Sequence, residues 1–356
     1  MKIAMLASGG VDSSVALRLL KDAGHDVTAY YIKIWLEDEL AFLGECPWKD
    51  DIHYVREICN QCDIPLEIVS LQKEYWEKVV QYTIDEVHAG RTPNPDIHCN
   101  HRIKFGSFYE HIDDSFDKVA TGHYAQTEEK DGVTYLTLSK DSFKDQTYFL
   151  SHLTQEQIRR ALFPIGGYTK TEIREIARKY DLPNKARKDS QGICFLGTIK
   201  YSDFIKHHLG IRKGDLIEQE TGQKKGEHNG FWYYTIGQRQ GLGLSGGPWY
   251  VTRKDIAQNI IYISRQYHTE DKKRDSFKVE DFNWISGFTF DVGSTHQLRI
   301  KIRHGEHFYD DADVYFDTEN TATINLNATD QGLAPGQYAV LYKDNVCLGC
   351  AVISES

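Results

Sequence analysis

The stretch that decides the fold is residues 3–23, IAMLASGGVDSSVALRLLKDA. Ile3 to Ala7 form a short apolar run, which predicts a buried strand. Val11 to Ala23 repeat apolar residues at helical spacing, and Gly24 follows as a typical helix stop. A strand, a Gly-rich turn and a helix in this order predict the first half of a βαβ unit, and therefore a parallel sheet.

Ser8 to Ser14, SGGVDSS, lie at the turn between this strand and this helix. Glycines let the backbone approach a phosphate, and a helix N-terminus adds unpaired N–H groups and a positive dipole end. The serine hydroxyls add donors. A Gly turn with a serine cap is the alternative, but the strand, the helix and the hydroxyls together favour a phosphate loop. Asp12 could help hold Mg²⁺ or simply complement the helix dipole.

Two common phosphate motifs are excluded at this turn. A Walker loop requires a lysine after its last glycine, and a dinucleotide fingerprint requires three spaced glycines. Ser-Gly-Gly-x-Asp-Ser resembles instead the pyrophosphate loop of ATP-pyrophosphatases. Those enzymes cleave ATP between the α and β phosphates, adenylate a carbonyl oxygen and let a nucleophile displace AMP.

Strand and helix patterns keep alternating after this unit. Strands are predicted at 27–35, 66–71 and 116–121, and helices at 49–62 and 73–89. A capping box at residues 169–172 opens a further helix. The alternation predicts an α/β domain with helices on both faces of a parallel sheet.

The character of the sequence changes in its second half. Glycines become frequent from about residue 210, and beyond residue 275 the pattern is almost wholly that of strands, with a hairpin predicted at Lys343 to Asn345. We therefore place domains at residues 1–205, 206–275 and 276–356, the last two being a small central domain and a β domain.

Composition narrows the class of protein. The chain has 356 residues, which is more than the roughly 250–300 that one hydrophobic core supports, so more than one domain is expected. It holds 42 Lys and Arg against 52 Asp and Glu, a net charge of −10. Bulk charge argues against coating nucleic acid or an anionic membrane, but it allows a local basic site. The sequence has no secretory signal and no apolar run of membrane length, so we expect a cytosolic protein with no membrane partner. Its seven cysteines are then expected to be free thiols, catalytic thiols or metal ligands rather than a structural disulfide framework.

Cys99 is the first candidate nucleophile. It lies in TPNPDIHCN, residues 92–100, where Pro93 and Pro95 predict a stiff, extended loop that also carries Asp96. Four nearby basic residues would favour its thiolate, namely His98, His101, Arg102 and Lys104. A buried small cysteine in a turn is the alternative.

Cys194, in DSQGICF, is the second candidate, and it follows Lys185, Arg187 and Lys188. Cationic surroundings suit a reactive thiol or one that carries transferable sulfur. The remaining cysteines are not expected to act: Cys59 and Cys62 share a helix stripe and favour core packing, Cys347 and Cys350 lie in the last β segment, and Cys46 has no assignment. No metal site is expected from them.

Several segments occur together in one order along the chain. They are SGGVDS (8–13), NPDIHC (94–99), TGHY (121–124), KDQTYFL (144–150), DSQGICF (189–195), TIGQRQGLG (235–243) and PGQ (335–337). Together they resemble the tRNA-specific 2-thiouridylase family over nearly the whole chain. The resemblance implies an adenine-nucleotide alpha-hydrolase-like α/β domain with a parallel sheet, then a small central domain and a C-terminal β-barrel.

The resemblance also implies a reaction and its participants. ATP and Mg²⁺ would serve to adenylate the 2-oxygen of the wobble uridine of tRNA, and sulfur would replace that oxygen with release of AMP and pyrophosphate. Cys194 matches the persulfide carrier and Cys99 the nucleophile that forms a transient disulfide with it, while Asp96 matches the general acid/base. A sulfur donor, either a cysteine desulfurase or a relay protein, would load Cys194.

Binding residues follow from the same resemblance. ATP contacts would come from Leu6, Ala7, Ser8, Gly9, Gly10, Val11, Asp12, Ser13, Ile32 and Gly122. The tRNA would be contacted by Asn94, Pro95, Asp96, His123, Lys144, Asp145, Gln146, Arg303, His304 and Gln337. Two positions depart from the family: Ile32 stands where Met is usual, and His304 stands where Tyr is usual.

A basic face for RNA is also predicted. Residues 276–356 hold 5 Lys and Arg against 12 Asp and Glu. Within them Arg299, Lys301 and Arg303 alternate with apolar residues, and period two places all three on one strand face. A solvated outer face is the alternative. A basic strip on the first domain could extend this face, through Lys140, Lys144, Arg159, Arg160, Lys185, Arg187 and Lys188.

Two other functions stay open at this stage. An ATP-pyrophosphatase acting on a small molecule would have no need of Cys99 and Cys194. A nucleotide-sensing or RNA-binding module would bind ATP without releasing AMP when tRNA is added.

Overall fold

The structure is a computed structural model that describes residues 1–34, 48–188, 200–266, 274–330 and 332–355. Within those ranges the strands are β1 (Lys2–Leu6), β2 (Asp26–Lys33), β3 (Leu66–Ser70), β4 (Lys118–Thr121), β5 (Gln126–Lys130), β6 (Val133–Thr137), β7 (Ala161–Leu162), β8 (Gly214–Glu218), β9 (Lys224–His228), β10 (Tyr250–Asp255), β11 (Ile260–Ser264), β12 (Ser276–Trp284), β13 (Thr295–Lys301), β14 (Tyr309–Phe316), β15 (Thr321–Asn325), β16 (Tyr338–Lys343) and β17 (Val346–Glu355).

The α-helices of the described residues are α1 (Val11–Asp22), α2 (Trp48–Cys62), α3 (Gln72–Tyr75), α4 (Gln81–His88), α5 (Pro95–His98), α6 (Thr147–Leu150), α7 (Gln155–Arg160), α8 (Lys170–Lys179) and α9 (Tyr201–Leu209). Two π-helical segments, Trp76–Val80 and Cys99–Lys104, continue α3 and α5. Short 3₁₀ turns occupy Ser107–His111 and Phe231–Tyr233.

The first sheet is parallel, with strand order β3-β2-β1-β4-β7. Ile3, Ala4 and Met5 of β1 have no exposed surface, because helices cover both faces of the sheet. A strand that is buried on both faces is continuously apolar, which is the pattern of residues 3–7. The predicted α/β domain with a parallel sheet is confirmed.

The first sheet extends on both sides of β1, and the strand order reverses there. Strands β2 and β3 extend it on one side of β1, and β4 and β7 extend it on the other. In open α/β sheets a ligand crevice lies at the carboxyl ends of the strands where the order reverses. Here the carboxyl ends of β1 and β4 meet at that point, next to the turn that begins at Ser8.

The second half of the chain is built from strands, as predicted. Strands β8 to β11 form a mixed four-stranded sheet in the order β10-β11-β8-β9. Strands β12 to β17 form an antiparallel sheet that closes on itself through the pairing of β12 with β17, and this closure confirms the C-terminal β-barrel. The hairpin predicted at Lys343 to Asn345 joins β16 to β17, with Asp344 at φ 55°.

The barrel is continued by strands from the first part of the chain. Hairpin β5–β6 pairs with β17, so that Val346 lies opposite Thr137. The domain limits 1–205, 206–275 and 276–356 stay a prediction, and α9 crosses the first of them. No helix in the described ranges combines the length and the apolar character needed to cross a membrane.

Candidate functional site

The turn after β1 is held by its own hydroxyls. Ser13 Oγ and Ser14 Oγ donate to the Gly10 carbonyl at 3.0 and 2.8 Å, and the Ser8 amide donates to Ser13 Oγ at 3.2 Å. Gly10 is the N-cap of α1 and has no side-chain cap. The first-turn N–H groups therefore lack a capping side chain, which leaves an anion site at the helix N-terminus.

Two glycines let other parts of the chain press against this turn. A Cβ on Gly9, at φ +78°, would lie 2.6 Å from the Asp51 carbonyl oxygen. A Cβ on Gly122, directly after β4, would lie 2.7 Å from the Ser13 backbone nitrogen. Gly9 and Gly122, two of the three glycines that the resemblance places at ATP, thus stand where any side chain would push the loop aside.

Asn184 and Arg187 also hold the turn. The buried Asn184 amide donates to the Gly9 carbonyl at 2.8 Å and to Ser14 Oγ at 2.9 Å. The Arg187 guanidinium donates to the same carbonyl at 3.0 Å and pairs with Asp51. Arg187 therefore belongs to the loop and is not free to form the predicted basic strip. Asn184 was not identified from the sequence, because a lone Asn far along the chain carries no local signal.

Asp12 has partners of its own. Lys170 Nζ donates to both of its carboxylate oxygens at 2.7 and 2.9 Å, and the Tyr124 hydroxyl donates at 3.0 Å. Lys170 was not identified from the sequence, although the capping box at Thr169 and Glu172, which is confirmed, positions it at the start of α8. No cluster of three or more His, Cys, Asp and Glu suited to a metal occurs in the described part of the chain.

Asp96 and Cys99 lie on a helix, so the prediction of an extended loop is wrong. Pro95 is the first residue of α5, and the Asn94 side chain caps the helix by accepting from the Ile97 amide at 3.3 Å. Proline is tolerated at this position because the first N–H of a helix has no partner and its φ is already helical. A helix interior was correctly excluded for these prolines, but the start of a helix was overlooked.

The charges near Cys99 also differ from the prediction. Burial lowers the pKa of His98 to about 2 and also lowers that of His101, so both rings are neutral near pH 7. They cannot favour a thiolate by charge, contrary to the prediction. Cys99 is buried, with 5% of its surface exposed.

The charge of Lys104 influences the pKa of Asp96 and that of a residue beside the phosphate turn. Burial raises the pKa of Asp96, and the Lys104 ammonium opposes that rise. Burial also places the pKa of His123 well below its usual value, and the same ammonium lowers it further. His123 follows Gly122, and its Nδ1 lies 2.7 Å from Thr121 Oγ1. The positive charge of Lys104 therefore acts both on the Asp96 carboxyl group and on His123, the residue after Gly122.

The barrel anchors the segment that carries Asp96. His98 Nε2 lies 2.9 Å from the Tyr338 hydroxyl, and the Tyr82 ring packs 3.8 Å from the His98 ring. The Thr92 amide donates to the Pro335 carbonyl at 2.8 Å. The Pro335 to Gln337 motif thus meets the segment before α5 directly.

The structure gathers many of the residues expected at the tRNA around α6. The Tyr148 hydroxyl bonds with Asn94 and donates to the Tyr338 carbonyl at 3.2 Å. His304 stacks on Phe149, with ring centroids 4.7 Å apart. The imidazole that replaces the usual Tyr therefore already has a stacking partner within the chain.

Other residues of this set are used internally. The Asp145 side chain is buried, and it accepts from the Ser139 amide at 2.8 Å and from Thr147 Oγ1 at 2.6 Å. Gln146 Oε1 accepts from the Tyr124 amide at 3.0 Å. Arg303 is exposed and pairs with Asp330. Asp145 is thus a structural residue in this fold, while Arg303 stays available at the surface.

The predicted basic face of β13 is wrong. Lys301 has no exposed surface and pairs with Asp145 at 3.5 Å, while Arg299 pairs with Asp310 at 2.7 Å. Lys301 is covered by contacts that include Asp145 of the first domain, whereas Arg299 is partly exposed and Arg303, beyond the end of β13, is exposed.

The remaining cysteines are accounted for only in part. Cys59, Cys62, Cys347 and Cys350 are buried free thiols, as expected of core residues, and burial raises the pKa of Cys59 to about 12. Cys194 and Cys46 lie outside the described residues, and so does the transient disulfide expected between Cys99 and Cys194.

Family profiles match three parts of the chain. They are described as tRNA methyl transferase HUP domain over residues 1–198, tRNA methyl transferase PRC-barrel domain over residues 202–265, and Aminomethyltransferase beta-barrel domain over residues 274–353.

Curated relatives match over the full length. A tRNA-specific 2-thiouridylase MnmA of Parabacteroides distasonis is 47% identical, covering 100% of this chain and 99% of the relative. A tRNA-specific 2-thiouridylase MnmA 1 of Bacteroides thetaiotaomicron is 45% identical, covering 100% of both chains. Among solved structures, a 4-thiouridine synthetase–RNA complex with bound ATP reaches a TM-score of 0.35 at 16% identity over 59% of this chain and 50% of that one, which is too distant to carry an argument.

Proposed function

The chain belongs to the tRNA-specific 2-thiouridylase family, and on that premise we propose that it uses ATP to replace the 2-oxygen of the wobble uridine of tRNA with sulfur. The observation that carries the proposal is the link between two groups of residues. The phosphate turn, Gly122 and His123 form one group, and the charge of Lys104, at the end of the π-helical segment that begins at Cys99, acts both on His123 and on Asp96.

ATP would bind with its phosphates at the N-terminus of α1. Ser8 to Ser13 supply backbone N–H groups and a positive dipole end, and Leu6, Ala7 and Ile32 supply apolar surface beside them. Mg²⁺ would be held by the phosphate oxygens and water, because it keeps most of its waters and the turn offers only one carboxylate, that of Asp12. That carboxylate is engaged by Lys170, so the described residues make no protein cage for the ion.

Adenylation would come first. The uridine 2-oxygen attacks the α-phosphorus and pyrophosphate leaves, so that a poor leaving group becomes a good one. The ring proton at the neighbouring nitrogen has to move during this step. Asp96 suits that task because burial raises its pKa toward the working pH, which is the usual requirement for a general acid/base.

Sulfur transfer would follow. The terminal sulfur of a persulfide on Cys194 attacks the activated carbon, and AMP leaves with the former uridine oxygen. The Cys99 thiolate then attacks the Cys194 sulfur, which forms a disulfide and leaves the terminal sulfur on the base. A reductant must reopen the disulfide after each turnover, which the cytosol would provide.

The ends of the segment that carries Cys194 support this pairing. On one side Arg187 is bonded to the Gly9 carbonyl of the phosphate turn. On the other side Tyr201 lies at a cavity that Pro95, the residue before Asp96, also lines. Arg187 and Tyr201, which flank residues 189–199, therefore lie beside the groups that the reaction needs.

The test uses unmodified tRNA, ATP, Mg²⁺ and a persulfide source, with the target uridine labelled by heavy oxygen at its 2-position. We expect 2-thiouridine in the digested tRNA and the heavy oxygen in AMP. Reactions without ATP or without persulfide are the controls. Formation of AMP without 2-thiouridine would exclude the proposed product. In a parallel reaction in which a methyl donor replaces the persulfide source, methylation of the tRNA would point instead to the methyl transfer named in two of the family descriptions.

A further inference from the structure

A cavity of about 400 Å³ lies between the first domain and the central sheet. One wall comes from α4 and the segment that leads into α5, including Val87, Pro93 and Pro95. The opposite wall comes from Tyr201 of α9, the aromatic run at residues 232–234 and Lys254 of β10. Its volume is within the range of small-molecule sites.

The lining of this cavity differs from the rest of the molecule in charge. The whole chain has a net charge of −10, yet no acidic residue is among the described residues that line the cavity, and Arg91 and Lys254 are. Aromatic rings supply much of the surface. Aromatic walls with cations and no carboxylate suit a planar, electron-rich group on an anionic chain.

Lys254 provides a donor with spare capacity. Its Nζ donates to the Tyr234 carbonyl at 3.1 Å, and no carboxylate in the described part of the chain forms an ion pair with it. Burial lowers the pKa of Lys254 to about 8, as expected for an ammonium without a counter-charge. An ammonium has three donors, so a ligand oxygen could accept from it without disturbing the bond to Tyr234.

The cavity is also lined by residues of a motif that has no role in the proposed reaction. Residues 235–243, TIGQRQGLG, helped to identify the family but have no part in adenylation or sulfur transfer. Thr235 and Gln238 of this motif line the cavity. They are fixed there, because the Thr235 amide donates to Gln238 Oε1 at 3.0 Å and the Val251 amide donates to the Gln238 carbonyl at 3.0 Å.

The cavity lies next to the segment that carries Asp96. Pro95 lines the cavity and directly precedes Asp96, whereas the phosphate turn and Cys99 do not line it. An occupant would therefore lie beside the segment that carries Asp96, and it would touch neither the phosphate turn nor Cys99.

We propose that this cavity binds the base of a nucleotide that flanks the target uridine in the tRNA, stacked on the aromatic wall with a base carbonyl oxygen accepting from Lys254. The proposal rests on the proposed function, since it takes tRNA as the substrate. Base stacking on aromatic side chains tolerates every base, and the lysine donor adds a preference for a base with a free carbonyl oxygen.

The test measures binding of unmodified tRNA, so it does not depend on catalysis. One series of tRNAs has the base removed at each nucleotide on either side of the target uridine. The variants are Lys254→Gln, which keeps a donor for Tyr234 but loses the charge, and Lys254→Arg. Lys206→Gln, an exposed lysine on α9, is the matched control.

We expect Lys254→Gln to weaken tRNA binding about tenfold, with ATP binding unchanged and Lys254→Arg largely restored. Removing one flanking base should weaken tRNA binding by the wild-type protein to a similar degree. The same removal should weaken tRNA binding by Lys254→Gln little further, because the substitution and the base removal break the same contact. Lys206→Gln should respond to base removal as wild type does.

Independent, additive losses at every flanking position would overturn the proposal. Weaker ATP binding by Lys254→Gln with tRNA binding unchanged would assign the cavity to ATP instead. Failure of the proposed function would look different: the coupling between Lys254 and one flanking base would persist, but no 2-thiouridine would form.

Discussion

Two lysine–aspartate pairs lie in two regions of the molecule and behave differently. At the edge of the first sheet, Lys170 holds Asp12 at 2.7 Å, and their side chains are 16% and 29% exposed. Between the barrel and the first domain, Lys301 pairs with Asp145 at 3.5 Å, and their side chains are 0% and 2% exposed. The same two residue types are thus open to a ligand in one region and sealed in the other.

The surroundings explain the difference. Lys301 Nζ lies 4.2 Å from the Phe308 ring centre, and burial lowers its pKa even though Asp145 opposes the shift. Asp12 lies at the N-terminus of α1, where a phosphate would compete for Lys170. At the edge of the first sheet, Lys170 could therefore leave Asp12 for a bound phosphate. At the barrel contact, the pair of Lys301 and Asp145 is part of the packed interior.

Cysteines give the largest expected contrast between the two regions. Cys99→Ala should lower thiolation at least about 10³-fold, because the nucleophile is lost, while ATP and tRNA still bind. Cys347→Ala, at the barrel contact, should cost about 1 kcal/mol of stability and leave turnover of the folded protein unchanged. Single-turnover assays and chemical denaturation measure the two effects. Thiolation by Cys99→Ala at the wild-type rate would break the comparison.

Aspartates give the next contrast. Asp96→Asn should lower thiolation about 10²- to 10⁴-fold and yet raise Tm at pH 7. Burial raises the pKa of Asp96, so its ionisation costs stability as pH rises through that raised value. The gain in Tm should therefore vanish below about pH 4, where Asp96 is protonated in both states.

Asp145→Asn is the control for that measurement. It leaves Lys301 buried without a counter-charge and should lower Tm at pH 7. An Asp96→Asn variant that loses Tm at pH 7 would remove the evidence that the carboxylate is strained by burial.

Lysines test the two pairs directly. Lys301→Met should cost about 3–5 kcal/mol of unfolding free energy, since Asp145 is left buried without its partner. Lys170→Met should cost less than about 1 kcal/mol, as partly exposed pairs do, and should weaken ATP binding instead. Urea denaturation and ATP titration separate these outcomes. Equal stability losses would mean that exposure does not distinguish the pairs.

Glycines give the smallest expected effect. Gly122→Ala places a Cβ 2.7 Å from the Ser13 nitrogen and should weaken ATP binding about five- to tenfold by displacing the turn. Gly167→Ala meets no atom within 4 Å and should bind ATP as wild type does. Unchanged ATP binding by Gly122→Ala would show that the turn can shift at no cost.

Much of the fold was predictable because its signals are local. The run at residues 3–7, the helix after it, the capping box at Thr169 and the hairpin at Asp344 each depend on neighbours in the chain. The phosphate turn was predictable for the same reason. Cys59 and Cys62 were correctly placed in the core, because a shared helix stripe is itself a statement about burial.

The errors share a different cause. Neutral His98 and His101 were predicted as cations, because burial that removes their charge is contributed by distant elements such as the barrel. The start of α5 was missed, because a proline is equally compatible with an extended loop and with the first position of a helix. Lys301 was predicted at the surface, because a strand pattern tells which residues share a face but not what covers that face.

The sequence by itself determined the elements, their order and the types of residue that carry the chemistry, since hydrophobic period, caps and turns are properties of short segments. Only the tertiary structure decided which of those residues meet. It brought Asn184 and Arg187 to Gly9, Gly122 to Ser13 and Tyr338 to His98, and it sealed Lys301 against Asp145. These contacts join residues far apart in the chain, so they follow from how the domains pack and not from any local pattern.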